Sequence, residues 1–206
     1  MADTQTQSSK YTDQRSAFWQ NIFENHASDY TTYLEDSKPD HAQRWRQMEQ
    51  KLPALSDTEI ERLTGFGRKL NVLVYSGVWC GDCVRQVPMI RQLAEAAASD
   101  APVRLRIIDR DVNPELTEEL RIVGAMRVPM VVFLTEDFWE VGRFGDRLLT
   151  RYRLKAEREV GAACAIGYAA VPDDELHAER NDWLDTFERM LLMVRLSPPL
   201  RERYGD

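Results

Sequence analysis

Tyr75-Ser76-Gly77-Val78-Trp79-Cys80-Gly81-Asp82-Cys83-Val84-Arg85 joins two patterns of different period. Upstream of it, Asn71-Val72-Leu73-Val74-Tyr75 is apolar and β-branched, the composition of a buried strand. Downstream, Gln86 to Ala98 is rich in Leu and Ala, with Met89, Ile90 and Leu93 at helical spacing. The two cysteines therefore fall where a strand hands over to a helix, with Cys80 at or just before the first turn. Unpaired backbone N–H groups and the positive end of the helix dipole favour a thiolate there. The thiolate, not the thiol, attacks disulfides. Cys83, a helical turn further on, is placed to resolve a mixed disulfide by intramolecular attack. The stretch reads as a dithiol–disulfide exchange site, as a CxxC near a βαβ pattern generally does.

Two plainer readings stand beside this one. A zinc site needs a second pair of ligands at suitable spacing. The other candidates are Cys164 and the singly scattered His26, His41 and His177, so no metal site is expected. The pair could also be two inert, buried cysteines.

Composition narrows the class. The chain has 206 residues, 43% of them apolar and 30% charged, which describes an ordinary soluble globular protein. A formal net charge of −7 argues against a nucleic-acid partner, which calls for a basic excess. Met1 to Gln14 is polar and lacks the apolar core of a secretory signal. No apolar run approaches the length of a membrane span, so no membrane association is expected. Three cysteines are too few for a disulfide-stapled secreted scaffold. The cytoplasm is the expected compartment, with the cysteine pair reduced at rest.

Residues 1–12 read as a disordered N-terminus, small, polar and without period. Residues 13–68 read as a helical N-terminal extension to which the sequence assigns no chemistry. Phe18, Trp19, Ile22 and Phe23 share a face there, and Tyr30, Tyr33 and Leu34 continue an aromatic surface that reads as packing. A second helical stretch carries Trp45 and Met48. Ser56-Asp57-Thr58-Glu59 forms a capping box opening a third, with Ile60, Leu63 and Phe66 inward. Beyond the cysteine helix, Val103 to Asp109 reads as a strand, Glu115 to Arg121 as a short helix, and Met130 to Leu134 and Trp139 to Phe144 as two more strands. Asp146 to Glu159 reads as a helix with Leu148, Leu149 and Tyr152 inward, and with Arg147, Arg151 and Lys155 as a solvated basic stripe. This order of elements is α/β. Residues 160–206 read as a C-terminal helical extension. In it, the small-residue run 161–167 around Cys164 has no assignment. A last helix opens at Pro172-Asp173-Asp174 and ends at Ser197-Pro198-Pro199.

Residues 69–159 resemble the thioredoxin superfamily. The resemblance rests on Trp79-Cys80-Gly81-Asp82-Cys83 after a strand, the turn Ile108-Asp109-Arg110-Asp111-Val112-Asn113-Pro114, and Val128-Pro129 ahead of an apolar strand. It implies a thioredoxin-like fold, a central mixed sheet flanked by helices, here with helical extensions at both ends. It implies further that Pro129 is cis, that the Val128 backbone pairs with an incoming substrate strand, and that Trp79 flanks Cys80 as a flat apolar surface. Two departures stand out. Asp82 occupies a position where the family commonly has proline, and its carboxylate opposes a thiolate while favouring the helix N-terminus, so the net sign stays open. The family's buried acid on the strand before the motif falls at Val74, leaving Cys83 to water or another base. Arg85 is expected to be a solvated helix residue, with a partial electrostatic offset of the missing acid as the alternative.

The resulting expectation is a thiol–disulfide oxidoreductase. Cys80 attacks, Cys83 resolves, and Gly81, Asp82 and Arg85 modulate the pair. No cofactor is expected beyond the Cys80–Cys83 disulfide itself. The partners implied are disulfide-containing proteins or small thiols, with a thioredoxin reductase or a small thiol as electron donor. No glycine-rich nucleotide loop is present for direct use of NADPH. The alternative is a thioredoxin-fold adaptor or chaperone-like module in which the dithiol is vestigial or regulatory.

Overall fold

Helices come first. α1 (Ser16–Asn21) runs on through a π turn at Ile22–His26 and buries Trp19, Ile22 and Phe23. α2 (Tyr30–Glu35) is capped by Asp29, which accepts from the Thr32 N–H, and α3 (Pro39–Glu49) opens on proline. α4 (Asp57–Glu61) carries the Ser56/Glu59 capping box in full. It is shorter than its apolar pattern suggests: Leu63 is buried beyond its end, while Ile60 is exposed. These and all following statements concern residues 12–99, 101–159 and 174–206 of a computed structural model. Residues 1–11, the run 161–167 with Cys164, and the helix start at Pro172-Asp173 lie outside the described residues.

β1 (Leu70–Ser76) is buried at every position, which explains why its sequence is apolar without alternation. α5 (Gly81–Ala97) then carries the chain to β2 (Val103–Asp109), parallel to β1. α6 (Pro114–Glu119), capped by Asn113, leads toward β3 (Met130–Thr135) and β4 (Glu140–Gly145), which complete an antiparallel half. The sheet order is β2-β1-β3-β4. This is the mixed sheet expected from the sequence, and β1 holds its centre.

α7 (Leu149–Glu159) starts three residues later than its pattern implies. Asp146 to Leu148 are not helical, so the helix is turned relative to expectation. Leu148 is buried, but Leu149 and Tyr152 are exposed rather than inward. α8 (Glu175–Leu196) lays Trp183 and Phe187 on the sheet, Phe187 edge-on to Phe133 at 5.2 Å and Trp183 to Phe144 at 5.0 Å. Pro198 and Pro199 do more than end it: they open a further short helix, α9 (Pro198–Tyr204), because proline fits a first helical turn. Among the described residues no helix is long and apolar enough to cross a membrane.

The N-terminal helices are built into this core. Ser28 and Ile107 exchange backbone hydrogen bonds of 2.9 and 2.8 Å, so the segment between α1 and α2 covers the outer edge of β2. Trp45 of α3 is fully buried against Tyr30 and Tyr33 of α2.

Candidate active site

Cys80 is the N-cap of α5, with φ −74° and ψ 127°, outside the helix but facing its first turn. The thiol of Cys83 and the backbone N–H groups of Cys83 and Asp82 converge on its sulfur. The Cys83 thiol has the largest effect, burial works against it, and together they bring the Cys80 pKa down to about 6. Cys83 is fully buried one turn inside the helix, where it accepts from the Gly77 N–H at 3.5 Å. Burial, then the neighbouring Cys80, push its pKa well up. Both cysteines are free thiols. One sulfur is accessible and acidic, the other hidden and basic.

The open question about Asp82 has an answer in this geometry. Its carboxylate does raise the Cys80 pKa, but more weakly than its own backbone N–H lowers it. The carboxylate is also engaged, 2.9 Å from Arg147 Nη2. Arg147 belongs to the stripe read as solvated, and that reading needs correction. Arg151 pairs with Glu175 at 3.2 Å and Lys155 with Glu159 at 3.6 Å, so the stripe is tied down and its first member braces the CxxC turn. Arg85 is neither solvated nor an offset for the missing acid. It is held on α8, 2.6 Å from the buried Glu179 carboxylate and 3.4 Å from Glu175.

Val128–Pro129 is cis, and the Cys80 thiol donates to the Val128 carbonyl at 3.7 Å. Gly145 backs this corner: a Cβ there would sit 2.7 Å from the Pro129 carbonyl oxygen. Gly81 meets no such limit, since nothing lies within 4 Å of a Cβ placed on it. Trp79 is 42% exposed. Its indole lies against Gly77, where a Cβ would be 2.9 Å from two ring carbons, and the Arg110 guanidinium covers the ring at 4.6 Å. The platform expected beside Cys80 therefore has a cation stacked on it.

The sequence reading missed the contribution of the N-terminal helices. Trp45 Nε1 donates to the Val78 carbonyl at 2.9 Å, and Arg44 Nη1 to the Trp79 carbonyl at 3.2 Å. Two neighbouring residues of α3 thus hold two neighbouring carbonyls of the CxxC loop. Tyr33 of α2, read as packing, places its hydroxyl 3.3 Å from the Asp109 carboxylate at the end of β2. An aromatic stripe at helical spacing gives no sign of such a polar role. Val74 is fully buried, as a family acid would be, and brings no charge. Among the described residues no cluster of three or more His, Cys, Asp or Glu side chains is arranged to hold a metal.

A family model described as thioredoxin matches residues 27–148. A protein of unknown function from Pseudomonas aeruginosa has a similar structure, with a TM-score of 0.57 at 21% identity, covering 84% of this chain and 94% of that one. An HIV epitope-scaffold is similar as well, with a TM-score of 0.53 at 21% identity, covering 87% and 94%. These likenesses bear on the fold. No curated protein matches the chain.

Proposed function

The chain belongs to the thioredoxin superfamily, and from that premise we propose that it is a thiol–disulfide oxidoreductase acting through Cys80 and Cys83. The observation that carries the proposal is the division of labour between the two sulfurs. Cys80 is reachable, with a pKa near 6, and is mostly thiolate at neutral pH. Cys83 is buried and protonated until it is needed. A structural pair has no use for this asymmetry, whereas an exchange site depends on it.

In the proposed cycle the Cys80 thiolate attacks a substrate disulfide. A Cys80–substrate disulfide forms, the substrate S–S bond breaks, and one substrate thiolate leaves. Cys83 then loses its proton and attacks the Cys80 sulfur, releasing the second substrate thiolate. The substrate gains two electrons and the protein is left with a Cys80–Cys83 disulfide. A thiol donor, a thioredoxin reductase or a small thiol, restores the dithiol. Val128 offers its backbone and Trp79 its ring edge to the incoming chain. A reducing compartment such as the cytoplasm suits this direction of flow.

The test is a redox titration in glutathione or dithiothreitol buffers, read by alkylation and mass. A two-electron transition at about −270 to −200 mV supports a reductase, and Cys83→Ser should then accumulate mixed disulfides on Cys80. If no reversible intramolecular disulfide forms, the proposal is wrong.

A further inference from the structure

Four arginines from four segments gather around Cys80. Arg44 of α3 donates to the carbonyl of Trp79, the residue before it, at 3.2 Å. Arg110, just after β2, lies over the Trp79 ring at 4.6 Å. Arg127 stands beside Val128, whose carbonyl accepts from the Cys80 thiol. Arg147, just before α7, reaches Asp82 at 2.9 Å. The chain as a whole carries a formal net charge of −7, so this gathering has the opposite sign to the rest of the molecule.

The carboxylates nearby are already engaged. Asp82 is held by Arg147. Asp146 is almost wholly buried and takes the Tyr152 hydroxyl and Arg147 Nη1, the latter at 3.6 Å. Asp109 accepts from the Tyr33 hydroxyl at 3.3 Å and from the Asp111 N–H at 3.1 Å. Asp111 itself lies 3.3 Å from Arg110 Nε. Two of the cations are not matched in this way. Arg44 pairs with no carboxylate among the described residues. Arg127 is 50% exposed, and its one ion pair among the described residues is 3.8 Å long, to the Asp146 carboxylate that Arg147 shares. The unmatched charge is therefore positive, and it stands at both flanks of the nucleophile, at Trp79 and at Val128.

We infer that Arg127 and Arg44 select the substrate, an extended peptide segment with carboxylates on either side of its disulfide-bonded cysteine. The inference rests on the exchange chemistry proposed above and names the substrate class of that same site. A strand paired with the Val128 backbone runs past Arg127, so an acidic side chain beside the substrate cysteine meets a guanidinium with no close partner of its own. Arg44 spends one N–H on the Trp79 carbonyl and keeps others for a ligand, since a guanidinium carries five. At physiological ionic strength charges are screened beyond about 8 Å. A segment at the mouth of the site therefore feels these arginines and not the net negative charge of the chain.

The experiment compares charge at fixed chemistry. The reduced protein is mixed at pH 7 with disulfide-linked homodimers of three capped pentapeptides, carrying Asp, Asn or Lys on both sides of the cysteine. Loss of the Cys80 thiol is followed by acid quench and mass. Each rate is divided by that of 2-mercaptoethanol with the same peptide, which removes differences in the intrinsic reactivity of the disulfides. At about 0.15 M salt the normalised rates should fall in the order Asp, Asn, Lys; at about 1 M, where screening sets in at about 3 Å, they should converge. In Arg127→Gln the Asp peptide should slow and the Lys peptide speed up, each by up to about fivefold, the upper value for one exposed ion pair. Arg127→Lys should restore the order, and Arg44→Gln should compress it in the same sense. A structural role would slow all three peptides alike in the glutamine variants, and that result would overturn the assignment. Equal normalised rates in the unaltered protein, or the reverse order, would overturn it as well while leaving the exchange chemistry intact. If neither the peptides nor the uncharged bis(2-hydroxyethyl) disulfide react with Cys80, the exchange reading falls and the selection with it.

Discussion

Replacing Cys83 by Ala tests what makes Cys80 reactive. The Cys83 thiol is the largest cause of the lowered Cys80 pKa, ahead of the two backbone N–H groups. With a pKa of about 6, Cys80 is about nine-tenths thiolate at pH 7, against about 3% for an unperturbed cysteine. That is about thirtyfold more nucleophile, but a less basic thiolate is intrinsically slower. With a Brønsted slope of about 0.45 over the difference of about 2.5 pKa units, most of the gain is lost, leaving about a twofold to threefold advantage at pH 7. At pH 6 the advantage grows to about tenfold, because the ordinary thiol has almost no thiolate left. The acid arm of the profile is therefore where the geometry shows. Alkylation by iodoacetamide, measured from pH 4 to pH 9, should inflect near 6 in the unaltered protein and at higher pH in Cys83→Ala. The variant should lose rate at pH 6 and gain it above pH 8, by up to about tenfold at pH 9, where both forms are mostly thiolate and the more basic one reacts faster. An inflection that stays in place in Cys83→Ala would refute the reasoning and assign the whole shift to the helix terminus.

Three further outcomes follow from contacts around the site. Asp82→Asn removes a charge that raises the Cys80 pKa, so its alkylation inflection should move toward acid; a shift toward base would contradict the sign. Trp45→Phe deletes the hydrogen bond to the Val78 carbonyl and should cost about 1 kcal/mol in urea denaturation, with no change in the slope of the transition. Arg180→Met breaks a buried pair, since Arg180 lies 2.9 Å from Glu59 and its other nitrogen donates to the Pro53 carbonyl at 2.7 Å; a loss of about 3–5 kcal/mol is expected by calorimetry. Burial raises the Glu59 pKa, but the Ser56 hydrogen bonds and Arg180 outweigh it and hold the carboxyl below its usual range. A depressed carboxylate stabilises above its unfolded pKa, and the benefit disappears as pH falls through the folded one. The variant should accordingly show a weaker loss of stability on acidification.

What the sequence made legible follows from how local each signal is. β1 could be read because a strand covered on both faces has no reason to alternate, and Val72 to Val74 do not. Cys80 could be placed at a helix start because a strand pattern and a helix pattern meet there. The charged partners were harder. Lys155 and Glu159 stand four apart on one helix, but nothing in the spacing of Arg147 and Arg151 says that Asp82 and Glu175 will meet them, since these two pairs form only when α5 and α8 pack beside this segment. Tyr152 was misplaced for a local reason. The chain stays non-helical through Leu148, which shifts the phase of the face that follows and leaves Tyr152 bonded to Asp146 at the surface. Tyr33 was read as apolar because its ring is buried, while its hydroxyl reaches an acid 76 residues away in the chain.

The grip of α3 on the loop before Cys80 also sets how that loop can move. Trp45 and Arg44 hold successive carbonyls of Val78 and Trp79, and Trp45 is itself locked among Tyr30 and Tyr33. The loop cannot swing free without undoing the packing of α2 and α3, so the three segments open as one cooperative unit. In amide hydrogen exchange, the protected hydrogens of the Gly77–Cys80 turn and of α3 should therefore share one opening free energy. A shortened chain beginning at residue 69 would keep both cysteines and lose the scaffold that fixes the space between them.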